Sequence, residues 1–260
     1  MQAVLSIFGA IWLLVETLDF FNVYTRDKYA SYAFVIFFGC SIALAVFFRR
    51  PIQSVQVPIP HRGVCVEVRI ADLFNVTGAI VISTNSVFEA DVAGGKISPN
   101  SLQGQFTARY FTGNQHKLIE ELRKGLQRCK GSPPYPMGTT IPITTHGKTF
   151  YLTAMSTLNS QGNASSTLRD VEEALGGLWE YVRQAGELQE LAVPLMGTGR
   201  GRLNVPRSRV AELIAESFVN ASAEGKISDR LVIVIHPQDA EQFSVNLYEI
   251  KDRLRQLMSL

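Results

Sequence analysis

The chain divides into two parts whose patterns of apolar and polar positions differ. Residues 3–48 are mostly apolar, and the run 30–48 carries no charged residue. From about Gly63 onward, short apolar runs alternate with segments in which apolar residues recur every three or four positions. The short runs are typical of buried strands and the recurring pattern of amphipathic helices. The sequence therefore predicts an apolar N-terminal part followed by an α/β domain.

The N-terminal part, residues 1–49, is predicted to form a two-helix transmembrane hairpin. A bilayer core is crossed by about 20 apolar residues, and we expect spans at about 3–23 and 30–48. Arg49 and Arg50 favour a cytoplasmic end for the second span. Met1 and Gln2 lack the positive charge that begins a signal peptide. The expected localisation is the cell inner membrane, as a multi-pass protein whose C-terminal domain is cytoplasmic.

Two acidic residues, Glu16 and Asp19, lie three positions apart in the first predicted span, and therefore on one face of a helix. Ionisable side chains inside a span usually face the protein interior or water. One interpretation is a transmembrane polar stripe that lines an oligomeric assembly or a pore. The alternative is a span that ends near Val15, with both carboxylates in the headgroup region.

Residues 50–62 are interpreted as a linker, because its prolines block a continuous helix, and residues 63–260 as the α/β domain. Strands are predicted at 64–70, 79–82, 191–195 and 231–235, with a hairpin over 141–154 that turns at His146-Gly147. Helices are predicted at 114–130, 167–185, 205–223 and 245–257. This alternation favours an α/β sandwich with a largely parallel sheet.

Composition restricts the function. The net charge is +2 and no long basic patch interleaved with aromatic residues occurs, so we expect no nucleic-acid partner. The three cysteines are far apart and fit neither a disulfide framework nor a zinc site. The four histidines have no metal-ligand spacing. We therefore expect no metal.

The glycine-rich segment 191–202 is the strongest functional signal. An apolar run ends at Pro194, and Gly197, Gly199 and Gly201 then alternate with polar residues. Glycine allows a ligand to approach the bare backbone, and a concavity of N–H groups favours anions. A helical pattern that opens at Pro206 adds a positive helix N-terminus. The segment indicates a diphosphate site, and a purely structural strand-to-helix turn is the alternative.

A second polar cluster follows the strand 79–82. Asn85 can donate to and accept from ribose hydroxyls, and its alternative role is a helix cap or turn residue. A short glycine loop, Gly94-Gly95, comes next. Ligands of open parallel sheets bind beyond the carboxyl ends of the strands. We therefore expect Asn85, the segment 191–202 and His236 to converge there, although His236 is equally well explained as an edge histidine without a ligand.

These segments resemble the macro-domain family. Residues 79–86 are similar to the strand whose pattern ends Asn-Ala-Ala-Asn, residues 194–201 to the diphosphate loop, and Asp72 to the adenine-contacting aspartate. The resemblance extends from about residue 64 to the C-terminus. It implies a three-layer α/β/α fold, with a mixed and largely parallel sheet, that binds ADP-ribose or a derivative as ligand and uses no cofactor.

The resemblance also implies roles for individual residues. Asp72 would hold the adenine amino group, Asn85 would contact the distal ribose, and the glycines would wrap the diphosphate. Arg200 and Arg202 are expected either to pair with phosphate or to be solvated. The expected ligand-binding residues are Asp72, Leu73, Thr84, Asn85, Gly94, Gly95, Lys96, Pro194, Met196, Gly197, Thr198, Gly199, Arg200, Gly201, Arg202 and His236.

The sequence departs from the family in its first glycine loop. Ile82 replaces the first Asn of the pattern, the loop reads Ala93-Gly94-Gly95, and the paired glutamates of poly(ADP-ribose) glycohydrolases are absent. Because that loop positions water in the hydrolases, we expect no enzymatic activity and assign no catalytic residue. The alternative, a membrane-tethered ADP-ribosyl hydrolase, would need Glu89 or Asp91 as its general base.

Two predicted spans followed by a macro domain are similar to the membrane-anchored effectors of type II Thoeris anti-phage systems. This resemblance implies a signal nucleotide, histidine-linked ADP-ribose, that a Toll/interleukin-receptor-type enzyme makes from NAD. It also implies a homo-oligomer that disrupts the lipid bilayer when the nucleotide binds. A passive anchor that docks ADP-ribosylated partners is the remaining alternative.

Overall fold

A computed structural model describes residues 2–21, 30–48, 52–60, 62–92, 94–129, 131–186, 190–199 and 203–258. The chain divides into two compact units, Met1–Ile52 and Gln53–Leu260. The strands are β1 Ser54–Ile59, β2 Val64–Ile70, β3 Ala79–Asn85, β4 Thr140–Thr145, β5 Lys148–Leu158, β6 Ala164–Ser165, β7 Glu190–Pro194 and β8 Arg230–Ile235. The helices are α1 Gln2–Phe20, α2 Ala30–Phe48, α3 Leu102–Tyr110, α4 Gln115–Leu126, α5 Leu168–Ala185, α6 Arg207–Ala221, α7 Pro237–Gln242 and α8 Leu247–Met258.

The N-terminal unit contains α1 and α2, whose Phe8 and Phe34 rings pack edge to face at 5.6 Å. Among the described residues, no helix combines the length and the apolar character that crossing a membrane requires. A crossing needs about 20 apolar residues, and the 19 residues of α1 include Glu16 and Asp19. The predicted transmembrane hairpin and the multi-pass inner-membrane localisation are therefore wrong. No described helix therefore carries Glu16 and Asp19 as a transmembrane polar stripe.

The second unit is built on one mixed sheet of order β1-β2-β8-β7-β3-β5-β4, with β6 paired to β5. The five central strands are parallel, whereas β1 and β4 pair antiparallel at the two edges. Strands β3, β7 and β8 are almost fully buried apolar runs, as expected for parallel strands covered on both faces. The predicted mixed, largely parallel sheet is confirmed.

Helices cover both faces of this sheet, because alternate residues of its strands point to opposite sides. Ile80 and Ile82 of β3 belong to a core cluster that also contains Phe106 of α3 and Leu118 of α4. On the other side, the ring of Tyr151 in β5 lies 5.8 Å from that of Tyr181 in α5. Helices α6 and α8 complete the second layer by packing against α5, β1 and β8.

Strand β1 occupies residues that the sequence analysis assigned to a linker. It pairs with β2 from Ser54 opposite Arg69 to Ile59 opposite Val64. Pro58 is tolerated there because an edge strand has one side without partners, where the missing N–H is not needed. The β-sheet domain thus begins before Gly63, and the prolines indicate an edge strand as well as a break in helix.

Local turn chemistry places the β4–β5 hairpin as predicted. His146 and Gly147 both have positive φ, +51° and +71°, which the right-handed twist of a hairpin favours at its two turn residues. Helix α3 and the short α7 were not predicted. The predicted helix 114–130 is shorter in the structure, where it spans Gln115–Leu126.

Candidate functional site

A cavity of about 880 Å³ lies at the carboxyl ends of the parallel strands. Asn85 ends β3 and Pro194 ends β7, while His236 follows β8 directly. Parallel strands bring these ends to one edge of the sheet. The expected ligand-binding residues that line this cavity are Asp72, Leu73, Thr84, Asn85, Gly94, Gly95, Lys96, Pro194, Gly197, Thr198, Gly199 and His236.

The second glycine loop, which follows β7 in the glycine-rich segment 191–202, is held in shape by hydrogen bonds from within the loop and from α6. Gly197 has a φ of +76°, and its carbonyl accepts from the Leu203 N–H at 2.9 Å, which closes the loop. The hydroxyl of Thr198 donates to the Leu195 carbonyl at 2.9 Å. Arg207 donates to the Thr198 carbonyl at 3.1 Å. None of these three bonds uses an N–H group of residues 197–199, the groups that an anion in the cavity would approach.

Gly199 differs from Gly197 in its surroundings. A Cβ on Gly199 would meet no atom within 4 Å, whereas one on Gly197 would meet Leu203 and Val171 at 3.3 Å. Gly197 is therefore required by the fold, and Gly199 lies at the open cavity wall. Arg200, Gly201 and Arg202 lie outside the described residues. Met196 is 1% exposed and is buried beside the loop rather than lining the cavity.

The first glycine loop is tied to its own acidic residues. Asp91 accepts from the Gly94 N–H at 2.7 Å, and Lys96 forms an ion pair with Glu89 at 3.0 Å. Partial burial opposes ionisation of Glu89. The bonds from Lys96 and from the Asp91 and Ala90 N–H groups outweigh it and lower the pKa of this carboxyl. Both acids that were considered as a general base thus stabilise the loop itself.

Asn85 is 3% exposed and stabilises the same loop. Its side-chain oxygen accepts from the N–H groups of Val87 and Glu89 at 3.2 and 3.0 Å. This is the turn role that the sequence analysis gave as the alternative. The amide nitrogen can still donate, so the turn role and a contact to a ribose are compatible.

Gln103, which the sequence analysis did not identify, joins α3 to the cavity wall. It is 4% exposed, accepts from the Thr84 hydroxyl at 3.0 Å and donates to the Glu89 carbonyl at 2.6 Å. A lone Gln in a weakly amphipathic segment carries no sequence signal, and only the packing of α3 against β3 brings it here. The further unpredicted lining residues include Ser98, Ser101, Ser156, Asn163, Gln238 and Asp239.

Asp72 follows β2, which lies three strands across the sheet from β3, and it caps the short 3-10 turn Leu73–Asn75. Its carboxylate accepts from the Phe74 N–H at 3.0 Å and forms an ion pair with Arg109 at 2.9 Å. Partial burial alone would raise the pKa of Asp72. The bonds from Phe74 and Arg109, with the positive charge of Arg109, outweigh it and hold that pKa below its usual value. The cavity therefore presents a fixed carboxylate at its β2 end.

His236 caps α7 through its side chain, which accepts from the Gln238 N–H at 3.3 Å. It also lines the cavity, so it faces the space where a ligand would lie. The cavity thus has the ionised carboxylate of Asp72 at one end, and the two glycine loops and the buried amide of Asn85 along its wall. Such a cavity suits an elongated molecule with a hydrogen-bond donor at one end and an anionic centre.

Comparisons with known proteins agree on the fold. The family described as "Thoeris protein ThsA, Macro domain" matches residues 66–236. The Thoeris protein ThsA of Bacillus amyloliquefaciens strain Y2 is 20% identical, over 84% of this chain and 77% of that protein. The structure "Oceanobacillus iheyensis macrodomain with ADP" has a TM-score of 0.54 and 17% identity, over 79% of this chain and 97% of that one. The same macrodomain with MES bound has a TM-score of 0.54 and 15% identity.

Proposed function

This chain belongs to the Thoeris ThsA macro-domain family, and we propose that its cavity binds ADP-ribose or a signal nucleotide derived from it. The observation that carries the proposal is that Asp72 and both glycine loops line one cavity. Asp72 accepts from the adenine amino group, the loops around Gly94 and Gly199 surround the diphosphate, and Asn85 donates to the distal ribose. The ADP bound by the Oceanobacillus macrodomain has the same adenosine diphosphate core.

Calorimetry tests this proposal directly. The full chain is titrated with ADP-ribose, NAD and histidine-linked ADP-ribose, and we expect a single saturable site for at least ADP-ribose or its histidine adduct. Ribose 5-phosphate serves as the control, because it lacks both the adenine and the diphosphate. Absence of binding by all three nucleotides would contradict the proposal.

We further propose that the chain senses its ligand rather than hydrolysing it. The engagement of Glu89 by Lys96, and of Asp91 by the Gly94 N–H, supports this, because neither acid is arranged to take a proton from water. The test is incubation with an ADP-ribosylated peptide and chromatography for released ADP-ribose. Turnover that disappears in Glu89→Gln or Asp91→Asn would assign the hydrolase function instead.

The resemblance to Thoeris effectors extends the proposal to partners. A Toll/interleukin-receptor-type enzyme that consumes NAD supplies the nucleotide, and binding favours a homo-oligomer of this chain in anti-phage defence. A ligand shifts assembly only by its differential affinity for the two states. Light scattering of the full chain should therefore show a larger mass with the nucleotide than without it. Tight binding with no change in mass would contradict the assembly step and leave nucleotide binding standing.

A further inference from the structure

We propose that Arg109 is a positioning residue for base recognition, which fixes the carboxylate of Asp72 so that it accepts from adenine and rejects guanine. The inference rests on the proposed function and deepens it. Arg109 does not line the cavity and is not expected to touch the nucleotide. Its effect reaches the ligand through Asp72.

Each oxygen of Asp72 has one fixed donor. Oδ1 accepts from the Phe74 N–H at 3.0 Å, and Oδ2 forms an ion pair with Arg109 Nη2 at 2.9 Å. A carboxylate offers about four acceptor positions, so capacity remains for one donor from a ligand. Adenine presents its amino group at C6, whereas guanine presents a carbonyl oxygen there. An ionised carboxylate in a fixed position therefore attracts the first base and repels the second.

The guanidinium of Arg109 is itself held by aromatic packing. Its central carbon lies 4.4 Å from the centre of the Phe74 ring. The centres of the Phe74 and Tyr110 rings are 6.1 Å apart. Tyr110 in turn packs on Phe150 of the central sheet at 4.7 Å. A partly exposed ion pair adds little to stability, but one whose arginine is stacked keeps its partner in a defined orientation.

The same helix sets both ends of the cavity. Gln103 near the start of α3 holds the first glycine loop, and Arg109 near its end holds Asp72. The two residues are six positions apart, which corresponds to about 9 Å along a helix. A rigid helix thus fixes the separation between the carboxylate that reads the base and the loop that faces the diphosphate.

The first experiment compares nucleotide selectivity in the full chain. Calorimetry with ADP-ribose and with GDP-ribose, its guanine counterpart, is carried out on wild type, Arg109→Gln, Arg109→Lys and Arg169→Gln. Arg169 is the matched control, because it forms a similar 2.8 Å ion pair with Glu173 but lies on α5 and outside the cavity. We expect Arg109→Gln to weaken the binding of ADP-ribose by about tenfold and to reduce the preference for ADP-ribose over GDP-ribose. Arg109→Lys should retain part of the affinity and part of the adenine preference. Arg169→Gln should change neither the affinity nor the preference.

A double-mutant cycle separates positioning from general stabilisation. Asp72→Asn keeps the oxygen that accepts from Phe74 and removes the charge. If Arg109 acts through Asp72, adding Arg109→Gln to Asp72→Asn should cause no further loss of affinity. Provided that wild type binds ADP-ribose, two results would overturn the inference. One is that Arg109→Gln lowers the affinity equally in wild type and in Asp72→Asn, and the other is that Arg109→Gln leaves the adenine preference unchanged. A wild type that binds no ADP-ribose overturns the proposed function itself.

Discussion

At the scale of single residues, Asp72 has a structural role and a proposed role in recognition. It caps the 3-10 turn through the Phe74 N–H, and its ionised carboxylate faces the cavity. The two roles use different acceptor positions, so they can be separated by substitution. A charge-assisted bond to adenine contributes about 1.5–3 kcal/mol.

Asp72→Asn should therefore weaken ADP-ribose binding by about ten- to a hundredfold, because it removes the charge and keeps the cap. Asp72→Ala should lower the melting temperature as well, since a lost cap costs about 1 kcal/mol. Calorimetry and thermal unfolding of both variants check this. Equal melting temperatures for the two variants would show that the cap contributes nothing.

The lowered pKa of Asp72 predicts how binding depends on pH. A carboxyl with a depressed pKa stays ionised well below neutrality, and its contribution is lost only as pH falls through that lowered value. The ordinary value is 3.8 and the folded value lies below it. The part of the ADP-ribose affinity that Asp72→Asn removes should thus stay constant from pH 7 to about pH 4.5. Titrations across this range test it, and a loss of this part of the affinity between pH 7 and about pH 4.5 would contradict it.

Gly199→Val should abolish nucleotide binding and leave the fold intact. The new side chain projects into the cavity where the backbone must approach phosphate, and a Cβ there meets no atom of the protein within 4 Å. Gly176→Val is the matched control, since Gly176 on α5 also has open space around its Cβ and lies outside the cavity. Unchanged affinity in Gly199→Val, with melting temperatures equal to wild type, would show that the loop is only structural.

At the scale of elements, α3 connects the core to both ends of the cavity. Its Phe106 is fully buried against the sheet, while Gln103 and Arg109 reach the first glycine loop and Asp72. The first glycine loop is shaped in part by hydrogen bonds, among them those from the Gly94 N–H to Asp91 and from Gln103 to the Glu89 carbonyl. Substitution of the buried amide of Gln103 should therefore alter the shape of the first glycine loop.

Gln103→Leu should destabilise the domain by about 1–3 kcal/mol, because the Thr84 hydroxyl and the Glu89 carbonyl lose their partner. In a domain of this size that corresponds to a fall of about 2–12 °C in melting temperature. Gln115→Leu on α4 is the control, because Gln115 does not line the cavity. We expect weaker ADP-ribose binding only in Gln103→Leu, and equal affinity in both variants would show that α3 does not set the loop.

At the scale of the whole molecule, the nucleotide should stabilise the unit that contains the cavity. A ligand present at 100 times its Kd adds about 2.7 kcal/mol, which for a unit of this size raises the melting temperature by about 5–10 °C. Two units are present, so calorimetric scanning of the full chain should show one responsive transition. Gly199→Val removes the site, and a shift that persists in this variant would place the binding elsewhere.

Elements with local signals could be predicted from the amino-acid sequence alone. The apolar runs of β3, β7 and β8 lie where they were predicted, because a buried parallel strand is recognised from its own residues. The β4–β5 turn followed from His146-Gly147. The convergence of Asn85, the glycine loop at 197–199 and His236 also followed, since all come after parallel strands.

Features that depend on a partner distant in the chain could not be predicted in this way and are seen only in the folded protein. Ser54–Ile59 is a strand only because β2 offers it an edge, and proline content alone favoured a linker. Arg109 and Gln103 matter only because α3 packs across the sheet to reach Asp72 and Thr84. Apolar composition likewise predicted membrane spans that the described helices do not support. Composition counts apolar residues, whereas hydrogen bonds and packing between distant segments depend on how the whole chain is arranged in space.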